Sequence, residues 1–599
     1  MSASSHDLTA APLGATVVED GVIFKVWAPH ADKVAVRGDW DDWSDEGHPL
    51  ESTDNGVWQG FVAGAGDGCE YRFLIMSGEK RLSRIDPRAR EVTHSAGNGV
   101  VRSGQFDWEG DDFSPPSFNE WVIYELHAPT FSGGDPSDAA ALEKIQERFR
   151  HLLKLGVNAI QIMPVAEFAG DRSWGYNPAH IFAVESSYGG PEALKRLVKA
   201  AHKEGIAVIL DVVYNHFGPS DLDLWQFDGW SENDHGGIYF YNDWRAETPW
   251  GNTRPDYGRE EVRRFIHDNV MMWLEEFHID GLRYDMTLYM RTVRGEDQGE
   301  DILPEGWSLA QWINSEVRKR FPKRILIAED LRNNGGLTNL IENGGAGFHS
   351  QWDAGFVHPI REALIKRDDA WRDMQAVAQA LTNKYNHDVF ERVIYTESHD
   401  EVANGKARVP EEVNPDDPGG YHAQKRACLG AALVFTAPGI PMLFQGQEFL
   451  QGGWFRDNVP VDWDQRDDFS GIIRLFRDLI ALRRNLEGHS KGLSGQGIHI
   501  HHLNDEDNLL AFHRWSDHGP GDDVVVICNF SDKIRSDVRI GFPEAGLWRL
   551  RLNSDAKIYS ADFNGTEASE VQADNGEADG LPAAANIKIG PYTTLVHSR

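Results

Sequence analysis

Four acidic side chains each stand where a short apolar run ends. Asp211, Asp285 and Glu329 come directly after such runs, and Asp400 lies just past a fourth. A single acid in this position is usually a turn residue, a helix cap or a surface ion pair, so the coincidence of four is what indicates a site. Carboxylates gathered in one cleft repel one another, and burial raises the pKa of at least one. The cluster therefore suits a reaction that needs one protonated acid and one ionised base or nucleophile.

The elements that would position these acids are eight short apolar strands that alternate with amphipathic helical stretches. The predicted strands are Val122–His127, Asn158–Val165, Ile206–Tyr214, Gly281–Asp285, Arg324–Asp330, His349–Asp353, Glu391–Glu397 and Pro441–Gly446. Strand–helix–strand crossovers produce a parallel sheet, and eight of them predict a closed (β/α)₈ TIM barrel with its active residues at the carboxyl ends of the strands. No GxGxxG follows any of these strands, which argues against a dinucleotide-binding fold.

Shorter strands separated by Gly, Asp and Asn flank the barrel on both sides, so the chain is predicted to be multidomain. The predicted segments are an N-terminal tail at 1–14, a β-sandwich at 15–105, a linker at 106–120, the catalytic barrel at 121–484 with a loop-like insertion at 217–257, and a C-terminal antiparallel β-sandwich at 485–599. A long insertion at the carboxyl end of a barrel strand usually shapes a site.

Composition limits the kinds of partner that the protein could bind and indicates its cellular compartment. The 599 residues hold 59 Lys+Arg and 94 Asp+Glu, and the net charge of −35 disfavours a nucleic acid or an anionic membrane as partner. Three widely spaced cysteines and the lack of a signal peptide or an 18-residue apolar run predict a cytoplasmic protein. No HExxH or EF-hand pattern occurs, so neither a metal nor another cofactor is predicted.

Four segments resemble, in order, the signature regions of the α-amylase superfamily, glycoside hydrolase family 13. They are DVVYNH (Asp211–His216), GLRYD (Gly281–Asp285), IAED (Ile327–Asp330) and ESHDE (Glu397–Glu401). The N-terminal GDWDDW segment (38–43) resembles the glycogen-binding β-sandwich that precedes the barrel in several members. The resemblance covers the whole chain and implies a retaining enzyme whose substrate is an α-glucan such as glycogen, amylose or a maltooligosaccharide.

The resemblance also implies a role for each matching residue. Asp285 would be the nucleophile that forms a covalent glycosyl-enzyme, Glu329 the general acid/base, and Asp400 a carboxylate that binds sugar hydroxyls. The residues expected to bind substrate or orient the site are Tyr124, Tyr176, Asp211, His216, Arg283 and His399. A non-catalytic glucan-binding protein on the same fold would lack one or more of the three acids, and all three are present.

These motifs leave the acceptor open, because hydrolases and transferases of the family use the same acids. SHDEVANGK (398–406), LFQGQEF (443–449) and VVVICNFS (524–531) resemble the 1,4-α-glucan branching enzymes, which transfer an α-1,4-glucan segment to a 6-hydroxyl. DVVYNHFGP and SWGYNP (173–178) instead resemble debranching enzymes and maltooligosyltrehalose trehalohydrolases. Branching is therefore the first hypothesis, and α-glucan hydrolysis of the trehalohydrolase, debranching or amylase type is the alternative. Chain-length preference and oligomeric state are not predicted.

Overall fold

The structure, a computed structural model, describes residues 8–133, 140–170, 172–219 and 222–599. Residues 1–7 of the predicted N-terminal tail therefore lie outside the described residues. The strands of the N-terminal domain are β1 (Gly14–Val18), β2 (Gly21–Trp27), β3 (Lys33–Gly38), β4 (His48–Pro49), β5 (Glu51–Ser52), β6 (Val57–Ala63), β7 (Glu70–Ser77), β8 (Lys80–Arg84), β9 (Glu91–Val92) and β10 (Gly99–Val100). They form two sheets, ordered β1-β2-β6-β5 and β4-β3-β7-β10-β9 with β8 beside β7, which confirms the predicted N-terminal β domain.

Trp40 and Trp58 pack within this domain. The GDWDDW segment forms a short 3₁₀ turn, Asp39–Asp41. The Trp40 ring lies 5.3 Å from the ring of Phe24, and Trp58 donates its indole N–H to the Ala28 carbonyl at 3.1 Å. Both rings are partly buried against the hydrophobic core.

All eight predicted barrel strands are present. The barrel closes in the order β11 (Ile123–Leu126), β12 (Ala159–Ile162), β15 (Ala207–Val212), β16 (Gly281–Tyr284), β17 (Ile325–Ala328), β18 (Ser350–Trp352), β19 (Arg392–Ile394) and β20 (Ile440–Phe444). Every neighbouring pair is parallel. An antiparallel hairpin of β13 (Ala166–Phe168) and β14 (Pro178–Val184) was not predicted; it follows β12.

Residues on each barrel strand alternate between two packing layers, as the pleat of a strand requires. Ile123, Ile209 and Ile327 pack together in one apolar cluster. Their neighbours Tyr124 and Leu210 belong instead to the large cluster that includes the buried faces of the helices. The first cluster is thus the barrel interior, and the second lies between barrel and helices.

The helices cover the barrel with their apolar faces. The α-helices among the described residues are α1 (Ala128–Phe131), α2 (Ala141–Lys144), α3 (Phe149–Leu155), α4 (Gly190–Lys203), α5 (Glu260–Glu275), α6 (Leu288–Arg291), α7 (Pro304–Arg320), α8 (Ala354–Ile365), α9 (Met374–Thr382), α10 (Val409–Val413), α11 (Tyr421–Thr436), α12 (Gln465–Asp468) and α13 (Ser470–Arg483). In α4, for example, Leu194, Leu197, Val198 and Ala201 share one buried stripe at helical spacing. No helix in the described part of the chain is both long and apolar enough to span a bilayer.

The insertion after β15 joins the N-terminal domain to the barrel. Asp228 accepts a 3.0 Å hydrogen bond from the backbone N–H of His30, and Arg84 donates to the Phe227 carbonyl at 3.0 Å. Arg254, near the end of the insertion, is fully buried and donates to the Val293 carbonyl at 2.7 Å, just beyond α6. Residues 220 and 221 of the insertion lie outside the described residues. Along the described part of the insertion, these hydrogen bonds hold the loop at the end of the barrel that carries the acids.

The C-terminal domain is built from antiparallel strands, as predicted. They are β21 (Gly497–Asn504), β22 (Leu509–Trp515), β23 (Val524–Asn529), β24 (Arg535–Phe542), β25 (Gly546–Asn553), β26 (Val571–Ala573), β27 (Ala583–Ile589) and β28 (Thr593–Ser598). The larger sheet has the order β21-β22-β23-β28-β25-β26, and β24 pairs with β27. Lys425 of α11 reaches into this domain, where its ammonium lies 2.8 Å from Asp555 and donates to Thr593 Oγ1 at 3.0 Å.

We predict that Lys425→Ala lowers the free energy of unfolding by about 3–5 kcal/mol, because Asp555 would remain as a buried charge without its cation. Both side chains of this pair are 0% exposed. Urea titration followed by circular dichroism measures the change. Lys491→Ala is the matched control, since its partner Asp517 is 71% exposed and the pair lies in solvent. Equal urea midpoints for the two variants would contradict a structural role for the buried pair.

Candidate active site

Parallel pairing of three neighbouring strands brings four charged residues side by side. Asp211 on β15 is the register partner of Arg283 on β16. Asp285 and Glu329 each follow the last paired residues of β16 and β17, so they stand next to each other at the same end of the barrel. Neighbouring strands lie about 4.8 Å apart, which sets the spacing of these two backbones.

The guanidinium of Arg283 occupies the centre of this group and is fully buried. Its Nη1 lies 2.6 Å from Asp211 Oδ2 and 3.3 Å from Asp285 Oδ1. Its Nη2 lies 2.6 Å from Glu329 Oε2, an ion pair without the alignment of a hydrogen bond. The ring of Trp352 lies 4.2 Å from the guanidinium carbon. One buried cation therefore contacts three carboxylates.

Two neighbouring groups favour the ionised form of Asp285. Asn215 Nδ2 donates to Asp285 Oδ2 at 2.7 Å and to the Asp285 carbonyl at 2.9 Å. Burial raises the pKa of Asp285, and the Arg283 charge and the Asn215 hydrogen bond act against that rise. A carboxylate held between a cation and an amide donor is suited to act as a nucleophile.

Glu329 is mostly protonated at neutral pH. Desolvation raises its pKa to about 8; Arg283 opposes the rise, and Asp285 and Asp400 add to it. Its Oε2 accepts a 3.0 Å hydrogen bond from the Met286 backbone N–H, which fixes the carboxyl group beside Asp285. A protonated acid next to an ionised carboxylate is the combination that general acid catalysis needs.

Asp400 belongs to a second ion cluster at the barrel mouth. His399 Nε2 lies 3.4 Å from Asp400 Oδ2, and His399 Nδ1 lies 2.7 Å from Glu125 Oε1 on β11. Burial lowers the pKa of His399, but Asp400 and Glu125 together raise it well above its usual value, so the imidazole is charged. Burial likewise raises the pKa of Asp400, but the His399 charge outweighs it and lowers that pKa to about 2. Asp400 is therefore ionised and, at 44% side-chain exposure, accessible.

Aromatic side chains border both clusters. The Tyr176 hydroxyl donates to Asp211 Oδ2 at 2.7 Å, and its ring stacks on His399 with 5.0 Å between ring centres. The His216 ring stacks on Trp250 at 4.7 Å, and burial lowers the pKa of His216 to about 4, so this imidazole is neutral. Flat aromatic faces beside hydroxyl-binding groups match the mixed apolar and polar surface of a sugar ring.

Tyr124, which was predicted to bind substrate, does not face the cleft. Tyr124 is fully buried, and its hydroxyl donates to Glu448 at 3.1 Å in the layer between barrel and helices. Strand pleating explains the error, because the cleft-facing residue of β11 is the next one, Glu125. The other predicted site residues, Tyr176, Asp211, His216, Arg283, Asp285, Glu329, His399 and Asp400, lie around the two ion clusters.

Three residues of the site were not predicted from the sequence: Glu125, Asn215 and Trp352. A charged residue inside an otherwise apolar barrel strand rarely lies there without a partner, and that signal was available for Glu125 in VIYELH. Asn215 stands inside the DVVYNH motif beside His216. Nothing in the sequence distinguishes Trp352 from a core tryptophan.

In the part of the chain that the structure describes, the group of side chains able to hold a metal lies outside the barrel. It consists of His513, His518 and Asp523, in the C-terminal domain. The cleft itself presents carboxylates already paired with Arg283 and His399.

The fold is a closed parallel barrel with paired carboxylates at one rim, and comparison with known proteins specifies the family. A family model described as the α-amylase catalytic domain matches residues 125–255 and 224–478. Carbohydrate-binding module 48, the isoamylase N-terminal domain, matches residues 12–89, and the α-amylase C-terminal all-beta domain matches residues 499–599. The chain belongs to the α-amylase family, glycoside hydrolase family 13, and is an enzyme of that family.

Curated relatives match nearly the whole chain. 1,4-α-Glucan branching enzymes from Corynebacterium jeikeium and Leifsonia xyli subsp. xyli are 31% and 33% identical over 97% and 96% of this chain and 82% and 79% of their own lengths. Among solved structures, the Anoxybacillus pullulanase complexed with maltotriose is 21% identical, with a TM-score of 0.75 over 99% of this chain and 86% of its own. At that identity the structural likeness concerns the fold alone.

We expect kcat/KM to fall about tenfold per pH unit above pH 8. As a general acid, Glu329 would react in its protonated form; its pKa is about 8, and raising the pH above that value removes its proton. A pH–rate profile measures this limb. The control is Glu329→Gln, assayed with a substrate whose leaving group needs no proton. This variant should show no fall in kcat/KM above pH 8. The same fall in the variant would refute the assignment of the proton to Glu329.

We predict that Glu125→Gln lowers kcat by about 10–100-fold at neutral pH, because Glu125 holds His399 in position and, together with Asp400, raises its pKa. Without that carboxylate the pKa of His399 falls, so part of the loss should be recovered as the pH is lowered and the imidazole is protonated. A loss that is the same at every pH would indicate a purely structural role.

Tyr124→Phe on the same strand is the control. It should lower the free energy of unfolding by about 1–3 kcal/mol, since Glu448 loses a donor, and leave kcat within about twofold.

Proposed function

We propose that this chain is a 1,4-α-glucan branching enzyme, which cleaves an α-1,4 bond and transfers the freed segment to a 6-hydroxyl of a glucan. The observation that carries the chemistry is the pairing of Asp285 and Glu329 around Arg283 on adjacent strand ends. The choice of acceptor is supported by the branching-enzyme relatives, which are 30–33% identical over 95–97% of the chain.

The proposed reaction has two displacement steps at the anomeric carbon. In the first, an oxygen of Asp285 attacks that carbon while Glu329 gives its proton to the departing glycosidic oxygen, which leaves as a hydroxyl. In the second, ionised Glu329 takes the proton of the acceptor 6-hydroxyl, whose oxygen displaces Asp285. Two inversions restore the α configuration. The strand spacing of about 4.8 Å suits the carboxyl separation of about 5–5.5 Å that this scheme requires.

The remaining residues of the site hold the sugar in its reactive position. Ionised Asp400 and charged His399 would bind hydroxyls of the unit that Asp285 captures. Tyr176, whose ring is fixed by stacking on His399, offers an aromatic face to the same unit. Neutral His216 is suited to a hydroxyl as donor or acceptor. Asp211 contacts Arg283 and Tyr176 and would orient them rather than react.

Charge and cysteine content support the partners and the cellular location that we propose for this reaction. The α-glucan substrate is neutral, so the net charge of −35 does not repel it, and neither a nucleic acid nor a membrane is proposed as a partner. Cys69, Cys428 and Cys528 are free thiols, which supports a reducing cytoplasmic location. The proposed branching activity would give the enzyme a role in glycogen synthesis. We retain the division at residues 15–105, 106–120, 121–484 and 485–599 as the proposed domain limits.

The alternative is an α-glucan hydrolase of the trehalohydrolase, debranching or amylase type. Its support is the DVVYNH and SWGYNP segments, which contribute Asn215, His216 and Tyr176 to the site. Because both reactions share the glycosyl-enzyme, they differ only in whether water or a sugar hydroxyl attacks it.

A product assay distinguishes the two. We predict that incubation with amylose lowers iodine absorbance without creating reducing ends, and that reducing ends emerge only after a debranching enzyme is added. The same assay is run on a branched glucan and on maltooligosyltrehalose. Early reducing sugar would instead favour hydrolysis, and released trehalose would identify a trehalohydrolase.

The control variants are Asp285→Ala and Glu329→Gln, which we expect to lose turnover of these substrates by at least about 10³-fold while keeping the native circular dichroism spectrum. Both acids act on the reacting bond and neither belongs to an apolar cluster. Turnover near the wild-type rate in either purified variant would refute the proposed chemistry.

A further inference from the structure

Two histidines and an aspartate meet where strands β22 and β23 of the C-terminal domain are joined. His513 lies on β22, His518 lies in the connecting loop at 516–523, and Asp523 is the last residue before β23. One ligand atom from each of the three lies within 4.8 Å of the others. The Nε2 of His513 is 2.8 Å from Asp523 Oδ1, and the Nδ1 of His518 is 3.1 Å from the same oxygen. These three side chains form the His–Asp–His cluster.

Strand pairing places two members of the cluster on one face of the sheet. His513 is the register partner of Val525 on β23. Because side chains alternate along a strand, Asp523, two residues before Val525, lies on the same face as His513. The loop turns at Gly519, whose φ of +99° favours glycine, and brings His518 to the same carboxylate oxygen. One hairpin therefore supplies all three potential ligands.

Trp515 and the loop backbone hold these side chains in place. The Trp515 ring stacks on His513 with 4.6 Å between ring centres and on His518 with 4.9 Å. Gly497 on β21 leaves room for this indole, because a Cβ there would lie 2.2 Å from the ring. Asp523 Oδ2 accepts a 2.7 Å hydrogen bond from a backbone N–H of the loop, which fixes the carboxylate. Side chains that are already gathered and restrained lose little freedom on binding a ligand.

Solvent reaches the cluster from the side of His518. The His518 side chain is 59% exposed, whereas those of His513 and Asp523 are 5% and 6% exposed. The separations of 2.8 and 3.1 Å are close to the roughly 3.3 Å between ligand atoms in a tetrahedron with bonds of about 2.0–2.1 Å. A cation at this place would have three protein ligands and one position open to water, an arrangement that Zn²⁺ accepts.

The chemistry of the cluster favours Zn²⁺ over other common ions. Two imidazole nitrogens and one carboxylate oxygen suit Zn²⁺, whereas Ca²⁺ and Mg²⁺ prefer sites made of oxygen ligands. The loop at 516–523 carries three aspartates and no lysine or arginine, so its negative charge attracts a cation and disfavours a phosphate. No HExxH or EF-hand spacing relates the three residues, which is why motif patterns in the sequence did not predict this site.

We propose that His513, His518 and Asp523 bind one Zn²⁺ ion, which fastens the loop at 516–523 to strand β22. In the bound state, His513 Nε2 and His518 Nδ1 present lone pairs to the metal and carry their protons on the other ring nitrogen. Asp523 contributes the negative charge that partly neutralises the ion. The cluster shares no residue with the carboxylate site, so this inference does not depend on the proposed function.

The test is isothermal titration of ZnCl₂ into the full chain, after dialysis against EDTA and then against metal-free buffer. We expect wild type to bind one equivalent, and its dissociation constant to rise at least about 100-fold in His518→Ala and in Asp523→Asn. Losing only a hydrogen-bond partner of a metal ligand already costs about 10–100-fold, and these variants lose a ligand. His502→Ala is the matched control, because His502 pairs with Asp579 at 3.0 Å but belongs to no three-ligand group among the described residues.

Failure of wild type to bind Zn²⁺ would overturn the proposal and leave the two histidines as hydrogen-bond donors to Asp523. Unchanged affinity in His518→Ala would also overturn it, as would an equal loss in His502→Ala. MgCl₂ is titrated in parallel, and equally tight binding of Mg²⁺ would contradict a site selected by imidazole ligands. Circular dichroism shows whether each variant keeps its fold; His518→Ala removes an exposed side chain, and Asp523→Asn keeps the shape of the buried one. Both variants should give the amylose products of wild type, so the metal site and the proposed branching activity are tested separately.

Discussion

A single buried guanidinium determines how the cleft is organised. Arg283 is removed from water, so it needs anions around it, and Asp211, Asp285 and Glu329 supply them. Three carboxylates exceed what one cation neutralises, and burial raises the pKa of each of the three. Binding a proton relieves the excess: Glu329, with a pKa of about 8, is mostly protonated at neutral pH, and Asp211, with a pKa of about 7, is partly protonated. The acid and the base of the proposed reaction thus follow from one charge imbalance.

The fourth acid, Asp400, pairs with a different cation in the second ion cluster. Asp400 has His399 as its own cation, and Glu125 maintains the charge on that imidazole from the first barrel strand. The two clusters meet at Tyr176, which donates to Asp211 and stacks on His399. A closed barrel makes this possible, because strands that are distant in sequence end at one rim. Protonated and ionised carboxyl groups can then coexist within one sugar-sized space.

Sequence reasoning succeeded where a local pattern carries the information. Each barrel strand is a short apolar run, and an acid at its end is visible without knowing what the strand pairs with. It failed where side-chain direction or a distant partner decides the outcome. Tyr124 and Glu125 are neighbours in one strand, and only the position of the barrel axis shows which faces the cleft; the bond from Glu125 to His399 spans 274 residues.

In the proposed reaction, transfer to a sugar hydroxyl has to compete with attack by water, and Asp285 and Glu329 would act in the same way in both cases. Discrimination would therefore have to come from how long a glucan acceptor stays near the glycosyl-enzyme, and not from the two acids themselves.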